Sequence, residues 1–216
     1  MTVAIAGAHG KIAQLLTRRL ADRGEVVVGL IRNPDHAADV HKQGGEPVVC
    51  DLERASLEEV AQAVSSAATV VFAAGAGPGS GAERKLTVDR DGAIKLLKAA
   101  HHASVPRYLM VSSVGAESPP GGDDVFSVYL RAKADADEAV RTSELAWTIV
   151  RPGGLTDDPG SGRVRVDSSP FRRTIPRADV AAVLDALLQR DDAGGRILYL
   201  GSGDDPVEHA LVRCLR

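Results

Sequence analysis

Short apolar runs alternate along the chain with longer stretches in which apolar residues recur every three or four positions. The runs Val3–Ala6, Val26–Ile31, Pro47–Cys50, Thr69–Ala73, Tyr108–Val111, Thr148–Val150 and Ile197–Leu200 are continuous rather than alternating. That pattern predicts strands covered on both faces. Between them, Lys11–Arg23 carries Ile12, Leu15, Leu16 and Leu20 on one stripe, places cations in its last turn and stops at Gly24. Ser56–Ser65 opens on a capping serine with Glu59 three positions on. Lys85–His101, Val128–Thr142 and Ala178–Arg190 follow the same helical period. Strand-helix alternation of this kind predicts parallel strands joined by right-handed crossovers, hence a doubly wound sheet.

Three segments stand out for Gly, Pro and Ser: Gly75–Gly81, Glu117–Asp124 and Gly153–Gly162. Each follows a predicted strand, so all three should gather at the carboxyl edge of the sheet, where open α/β folds place ligands. The expected fold class is α/β: a Rossmann-type, mostly parallel sheet in three αβα layers. Residues 1–216 form a single domain, with a small C-terminal substrate lid at about residues 155–175.

Composition narrows the function classes. The chain has 216 residues, 44% hydrophobic and 25% charged, which suits one globular domain. Aromatics are only 3%, so Ala, Val, Leu and Ile must fill the core. A net charge of −3 argues against a nucleic-acid or anionic-membrane surface. Arg18-Arg19 and Arg172-Arg173 are short blocks that read as solvated faces. Cys50 and Cys214 lie far apart with no metal-ligand spacing, so neither a disulfide nor a metal site is expected. No run reaches the ~18 apolar residues of a membrane span, and no signal peptide is evident. A cytoplasmic protein, monomer or homodimer, acting on a small molecule is the expectation.

The first predicted strand runs into Gly7-Ala8-His9-Gly10-Lys11-Ile12-Ala13. Gly7 permits a tight turn, Gly10 admits a pyrophosphate close to the backbone, and Ala13 lets the helix pack on the strand. The helix start offers free N–H groups to phosphates. Such a turn, opening the first βα unit, points to a dinucleotide. The second strand ends in Leu30-Ile31-Arg32-Asn33-Pro34. An arginine there suits the 2′-phosphate of NADP, where NAD sites usually present an acid. NADP(H) is therefore the preferred cofactor, with NAD(H) the alternative. Asp35, behind Pro34, reads as the cap of the next helix. Asp51 and Leu52 follow the third strand, beside the adenine; Asp51 serves equally well as a turn residue. Ala73-Ala74-Gly75 ends the fourth strand without bulk, as a nucleotide lying across the strand tips requires.

Tyr129 and Lys133 stand four apart in a helical pattern and share one face. A lysine cation next to a tyrosine favours its ionised form, so the pair can act as a general acid/base. Lysine can also hold the nicotinamide ribose. Ser112 and Ser113 end the fifth strand and are expected to point into the same cleft, where a hydroxyl can hydrogen-bond a substrate carbonyl. His101 and His102 end a helix and read as partners of its dipole.

These residues resemble the atypical short-chain dehydrogenase/reductases of the NAD(P)H-binding group, which includes NmrA-like proteins and the biliverdin-IXβ/flavin reductases. The resemblance covers nearly the full length. It rests on Gly7-Ala8-His9-Gly10, Arg32-Asn33-Pro34, Val88-Asp89-Arg90-Asp91-Gly92-Ala93, Val111-Ser112-Ser113, Tyr129 with Lys133, and Thr148 through Asp157, which reads TIVRPGGLTD. It implies that Pro152, Gly153 and Leu155 pass beside the nicotinamide and that Ser113 is the polar partner of the reacting substrate. Two departures stand out: His9 replaces a threonine or serine, and Ala13 replaces a third glycine. The implied activity is reduction of a small carbonyl, quinone or flavin-like acceptor by hydride transfer. A non-catalytic NmrA-like redox sensor acting through a protein partner is the alternative. A sugar-nucleotide epimerase or dehydratase is a third, weakened because only about 60 residues follow Gly154, too few for an ordinary substrate domain.

Overall fold

The computed structural model describes all 216 residues. In chain order its elements are β1 (Thr2–Ala6), α1 (Lys11–Asp22), β2 (Val26–Ile31), α2 (Ala37–Lys42), β3 (Glu46–Val49), α3 (Leu57–Val64) and β4 (Thr69–Phe72). Next, α4 (Gly81–Arg84) runs through a π-helical segment, Lys85–Gly92, into α5 (Ala93–His102). There follow β5 (Arg107–Val111), α6 (Val125–Arg141), β6 (Ala146–Pro152), β7 (Leu155–Thr156), β8 (Arg163–Asp167) and β9 (Ile175–Pro176). The chain closes with α7 (Arg177–Leu188), β10 (Arg196–Ser202), β11 (Asp205–Pro206) and α8 (Val207–Leu215).

The main sheet has nine strands in the order β11-β8-β10-β6-β5-β4-β1-β2-β3. The seven strands expected from the sequence run parallel, from β3 at one edge to β10. The order reverses between β1 and β4, which makes that gap the topological switch point. Successive residues of each strand feed opposite faces. Val3 and Ile5 join Leu16 and Leu20 of α1 and Val183 and Leu187 of α7 in one core of 26 residues. Ala4 and Ala6 join Val60 of α3, Leu96 of α5 and Val140 of α6 in another of 22. Two cores of nearly equal size are what a sheet between two helical layers requires, and they explain the unbroken apolar runs.

Local signals are realised as chemistry. Ser56 Oγ accepts from Glu59 N at 3.2 Å while Glu59 Oε2 accepts from Ser56 N at 2.7 Å, so the capping box is complete. Gly24 adopts φ +78° just after α1. Two expectations need correction. Asn33, not Asp35, is the cap, and it caps a 3-10 turn, Pro34–His36, that leads into α2: its Oδ1 accepts from Asp35 N at 3.1 Å, because the residue before Pro34 is held extended. The stretch expected as a lid contains β8, which pairs antiparallel with β10 inside the main sheet, Val164 and Val166 facing the core. No helix is long and apolar enough to cross a membrane.

Candidate functional site

A cleft of about 260 Å³ opens over the carboxyl tips of β1 to β4. Of the residues singled out in the sequence, Gly7, His9, Gly10, Arg32, Asp51, Leu52, Ala73, Ala74 and Gly75 line it. Gly7 has φ +78°, and a Cβ there would stand 2.5 Å from Ala74 Cα; no other residue fits without moving the backbone just after β4. Gly10 precedes α1 and provides no side-chain cap. The first-turn N–H groups of Lys11 and Ile12 thus lack both capping side chain and intrahelical partner. The His9 ring stacks on His36 at 3.6 Å between centroids and meets Asp39 at 3.0 Å through Nε2. Lys11 itself reaches away from the cleft, to Asp157 at 2.5 Å, which also takes Arg177 at 2.7 Å. Those hydrogen bonds, led by that of Lys11, hold the Asp157 carboxyl below its usual range.

The outer corner of this cleft is charged. Glu53 Oε2 accepts from Arg84 at 2.7 Å and lies 3.5 Å from Arg32, and Glu53 Oε1 accepts from Thr87 at 2.6 Å. Burial raises the pKa of Glu53, but these hydrogen bonds and the two guanidinium charges outweigh it and hold the group below its ordinary value. Asp51 is a turn residue, its Oδ1 accepting from Glu53 N at 3.0 Å, and it still lines the cleft. Sequence reasoning missed Glu53 and Arg84. No local pattern joins residues 31 positions apart on different elements.

At the tips of β4 to β6 the polar groups are engaged with one another. Lys133 is buried, with Nζ 3.1 Å from the Val111 carbonyl and 3.4 Å from Asp89 Oδ1. Asp89 is 1% exposed and also accepts from Ala76 N at 3.1 Å. It comes from the π-helical segment, a geometry often found at functional sites. Lys133 reaches Tyr129 over the ring face, 5.9 Å from its centroid, rather than through the hydroxyl. Lys85, also buried, donates to the Gly77 carbonyl at 2.7 Å and lies 5.5 Å from the same centroid. Phe126, 63% exposed, stands beside Tyr129 at 6.0 Å. Ser113 is half-buried, its hydroxyl on the Val114 carbonyl at 3.1 Å.

Ser112 departs from expectation. It is buried, and its hydroxyl donates to Asp137 Oδ2 at 2.8 Å instead of facing the cleft. Asp137 in turn pairs with Arg151 at 2.9 Å, and Arg151 donates to Tyr199 Oη at 2.7 Å. Burial pushes the Asp137 carboxyl up, against the pull of Arg151 and Ser112. Strand alternation explains the result: successive residues at the end of β5 point to opposite faces, so Ser112 and Ser113 cannot share one. Pro152 is buried at the end of β6. Gly153 lies against Arg173, whose carbonyl oxygen a Cβ would strike, and Leu155 is 37% exposed.

Comparison with known proteins agrees with this geometry. The model of a family described as NAD(P)H-binding matches residues 7–191. Over 212 residues the chain is 35% identical to an uncharacterized sugar epimerase, YhfK, of Bacillus subtilis, covering 98% of this chain and 99% of that protein. A solved structure from Bacillus halodurans, described as a putative NAD-dependent epimerase/dehydratase, is also 35% identical and superposes with a TM-score of 0.92 over 99% of both chains. ChuY, an anaerobillin reductase from Escherichia coli O157:H7, shares the fold with a TM-score of 0.81, at 23% identity over 95% of this chain and 98% of that one.

Proposed function

Because the chain belongs to the NAD(P)H-binding family, we propose that it is an NADP(H)-dependent oxidoreductase acting on a small carbonyl, quinone or flavin-like acceptor. One observation supports this above the others: the cleft at the β1/β4 switch point is floored by bare backbone, at Gly7, Gly10 and Ala73–Gly75. Gly7, His9 and Gly10, with the free N–H groups of Lys11 and Ile12, hold the pyrophosphate. Asp51 and Leu52 border the adenine, and Arg32 meets the 2′-phosphate. The dinucleotide, when bound, supplies the hydride, and the protein binds, orients and supplies the proton.

The remaining roles fall to the β4–β6 tips. An ammonium has three N–H donors. Two of those on Lys133 face Val111 and Asp89, which leaves one for a ribose hydroxyl. Tyr129 donates the proton, Ser113 orients the acceptor, and Pro152, Gly153 and Leu155 border the nicotinamide. Ser112 acts through Asp137, as a positioning residue beneath this shell. Within residues 155–175 only the parts outside β8 are left to border the acceptor. Turnover of NADPH with quinones, flavins and carbonyls tests the reading, with Tyr129→Phe expected to lose at least tenfold in kcat/KM. Arg32→Ala should weaken NADPH far more than NADH; equal loss removes the NADP assignment.

A second reading, a redox sensor that binds NADP(H) without turnover, is favoured by the engagement of Lys133 with Asp89 rather than with the Tyr129 hydroxyl. NADPH binding without oxidation across the acceptor panel would select it. An epimerase acting on sugar nucleotides is disfavoured, since β8, α7, β10 and α8 take about half of the chain beyond β6 into the sheet and its helical layers.

A further inference from the structure

We propose that Arg84 is a second specificity-determining residue for the 2′-phosphate, and that Glu53 is an internal anion occupying the place this phosphate takes. The inference rests on the NADP reading above and adds to it a partner that arrives from a different element. Arg32 closes β2, whereas Arg84 closes α4, yet both guanidinium groups converge on one oxygen, Glu53 Oε2. A carboxylate oxygen gathering two arginines has the geometry of a phosphate oxygen in the same place.

The charges of the corner favour an incoming anion. A surface recess adjoining the main cleft is lined by Arg32, Asn33, Pro34, Asp51, Glu53, Arg54 and Arg84. Three guanidinium groups face two carboxylates, an excess of one positive charge. A phosphate monoester carries about −1.5 to −2 near neutral pH, so it is drawn to a recess of excess +1 and takes it to about −0.5 to −1.

The three arginines are not equally available. Arg54 is 90% exposed and only 3.9 Å from Asp51, so it is a weakly held rim charge. Arg32 is half exposed and only loosely tied to Glu53, free to swing. Arg84 is the most enclosed, and one of its five N–H donors meets Glu53. Thr87, one turn beyond Arg84, binds the other Glu53 oxygen, so the carboxylate is fixed from two sides and holds Arg84 in position.

The test is calorimetric titration of the intact protein with NADPH and NADH, and with adenosine 2′,5′-bisphosphate against 5′-AMP as minimal probes. Arg84→Ala is expected to weaken NADPH and the bisphosphate about tenfold while changing NADH and 5′-AMP less than threefold. Retained NADH binding shows that the variant is folded. Glu53→Gln is expected to tighten NADPH several-fold relative to NADH, because a competing anion has gone. Equal loss of both dinucleotides in Arg84→Ala would mean that Arg84 serves the adenine or the fold, and overturns the proposal. So does an unchanged NADPH affinity. If the unaltered protein binds both dinucleotides equally, the NADP reading itself fails. If Arg32→Ala is selective and Arg84→Ala is not, only the present inference fails.

Discussion

The carboxyl edge of the sheet is built in two ways. Over β1 to β4 it is backbone and small side chains: Gly7, Gly10, Ala73, Ala74 and Gly75 leave a cleft whose few charges sit at the rim, on Arg32, Glu53 and Arg84. Over β5 and β6 it is filled by charges that neutralise one another: Lys133 on Asp89, and Arg151 on Asp137, all buried. The first half presents bare backbone and a charged rim. The second keeps its geometry by internal pairing and leaves Tyr129 and Ser113 partly exposed. Binding and shape are thus separated along one edge, and substitutions should separate them as well.

The largest effect is expected in the paired half. Asp137→Ala leaves the buried Arg151 guanidinium only the Tyr199 hydroxyl and the more distant Glu117 carboxylate at 3.8 Å, which costs about 3–5 kcal/mol. For a chain of this size that is a fall in Tm of roughly 10 °C. Dinucleotide affinity, measured below the transition, should change less than threefold. Loss of affinity with little loss of stability would erase the distinction between the halves. Gly7→Val should do the reverse. A Cβ 2.5 Å from Ala74 Cα and a φ of +78° together cost about 1–3 kcal/mol and displace the turn, so dinucleotide binding falls at least a hundredfold. Lys133→Met is intermediate. It strands Asp89, which retains only the Ala76 N–H, at a cost of about 1–3 kcal/mol. Lys133→Met with Asp89→Asn should recover part of that stability without restoring turnover.

The two halves also differed in how far the sequence disclosed them. The bare-backbone half was legible because its requirements are local. Glycines at 7 and 10 after an apolar run, and small residues at 73–75, each report a backbone constraint at their own position. The paired half was not, because Asp89 meets Lys133 and Asp137 meets Arg151 only through tertiary packing. Even so, strand alternation alone would have separated Ser112 from Ser113. The antiparallel strand β8 was legible and overlooked: Arg163-Val164-Arg165-Val166-Asp167 alternates polar and apolar, and the structure buries the two valines. Glu53 and Arg84 had no such signal. Their meeting depends on where α4 lands after the Gly75–Gly81 loop.

Glu53 is the one place where the two building styles meet, and its expected effect is the smallest and the most diagnostic. Its folded-state pKa lies below the ordinary 4.5, so without ligand it contributes stability above that pH and loses it as pH falls through the folded value. Glu53→Gln should lower the stability of the free protein at pH 7 by no more than about 1 kcal/mol, as for other partly exposed pairs. The gap from the unaltered protein should close as the pH is taken from 5 toward 3, read by chemical denaturation at each pH. The same substitution is expected to tighten NADPH. Opposite signs on stability and affinity follow if the carboxylate stands where a phosphate would. A purely structural ion pair lowers both, and a residue that merely repels the cofactor raises affinity without flattening the acid limb of stability.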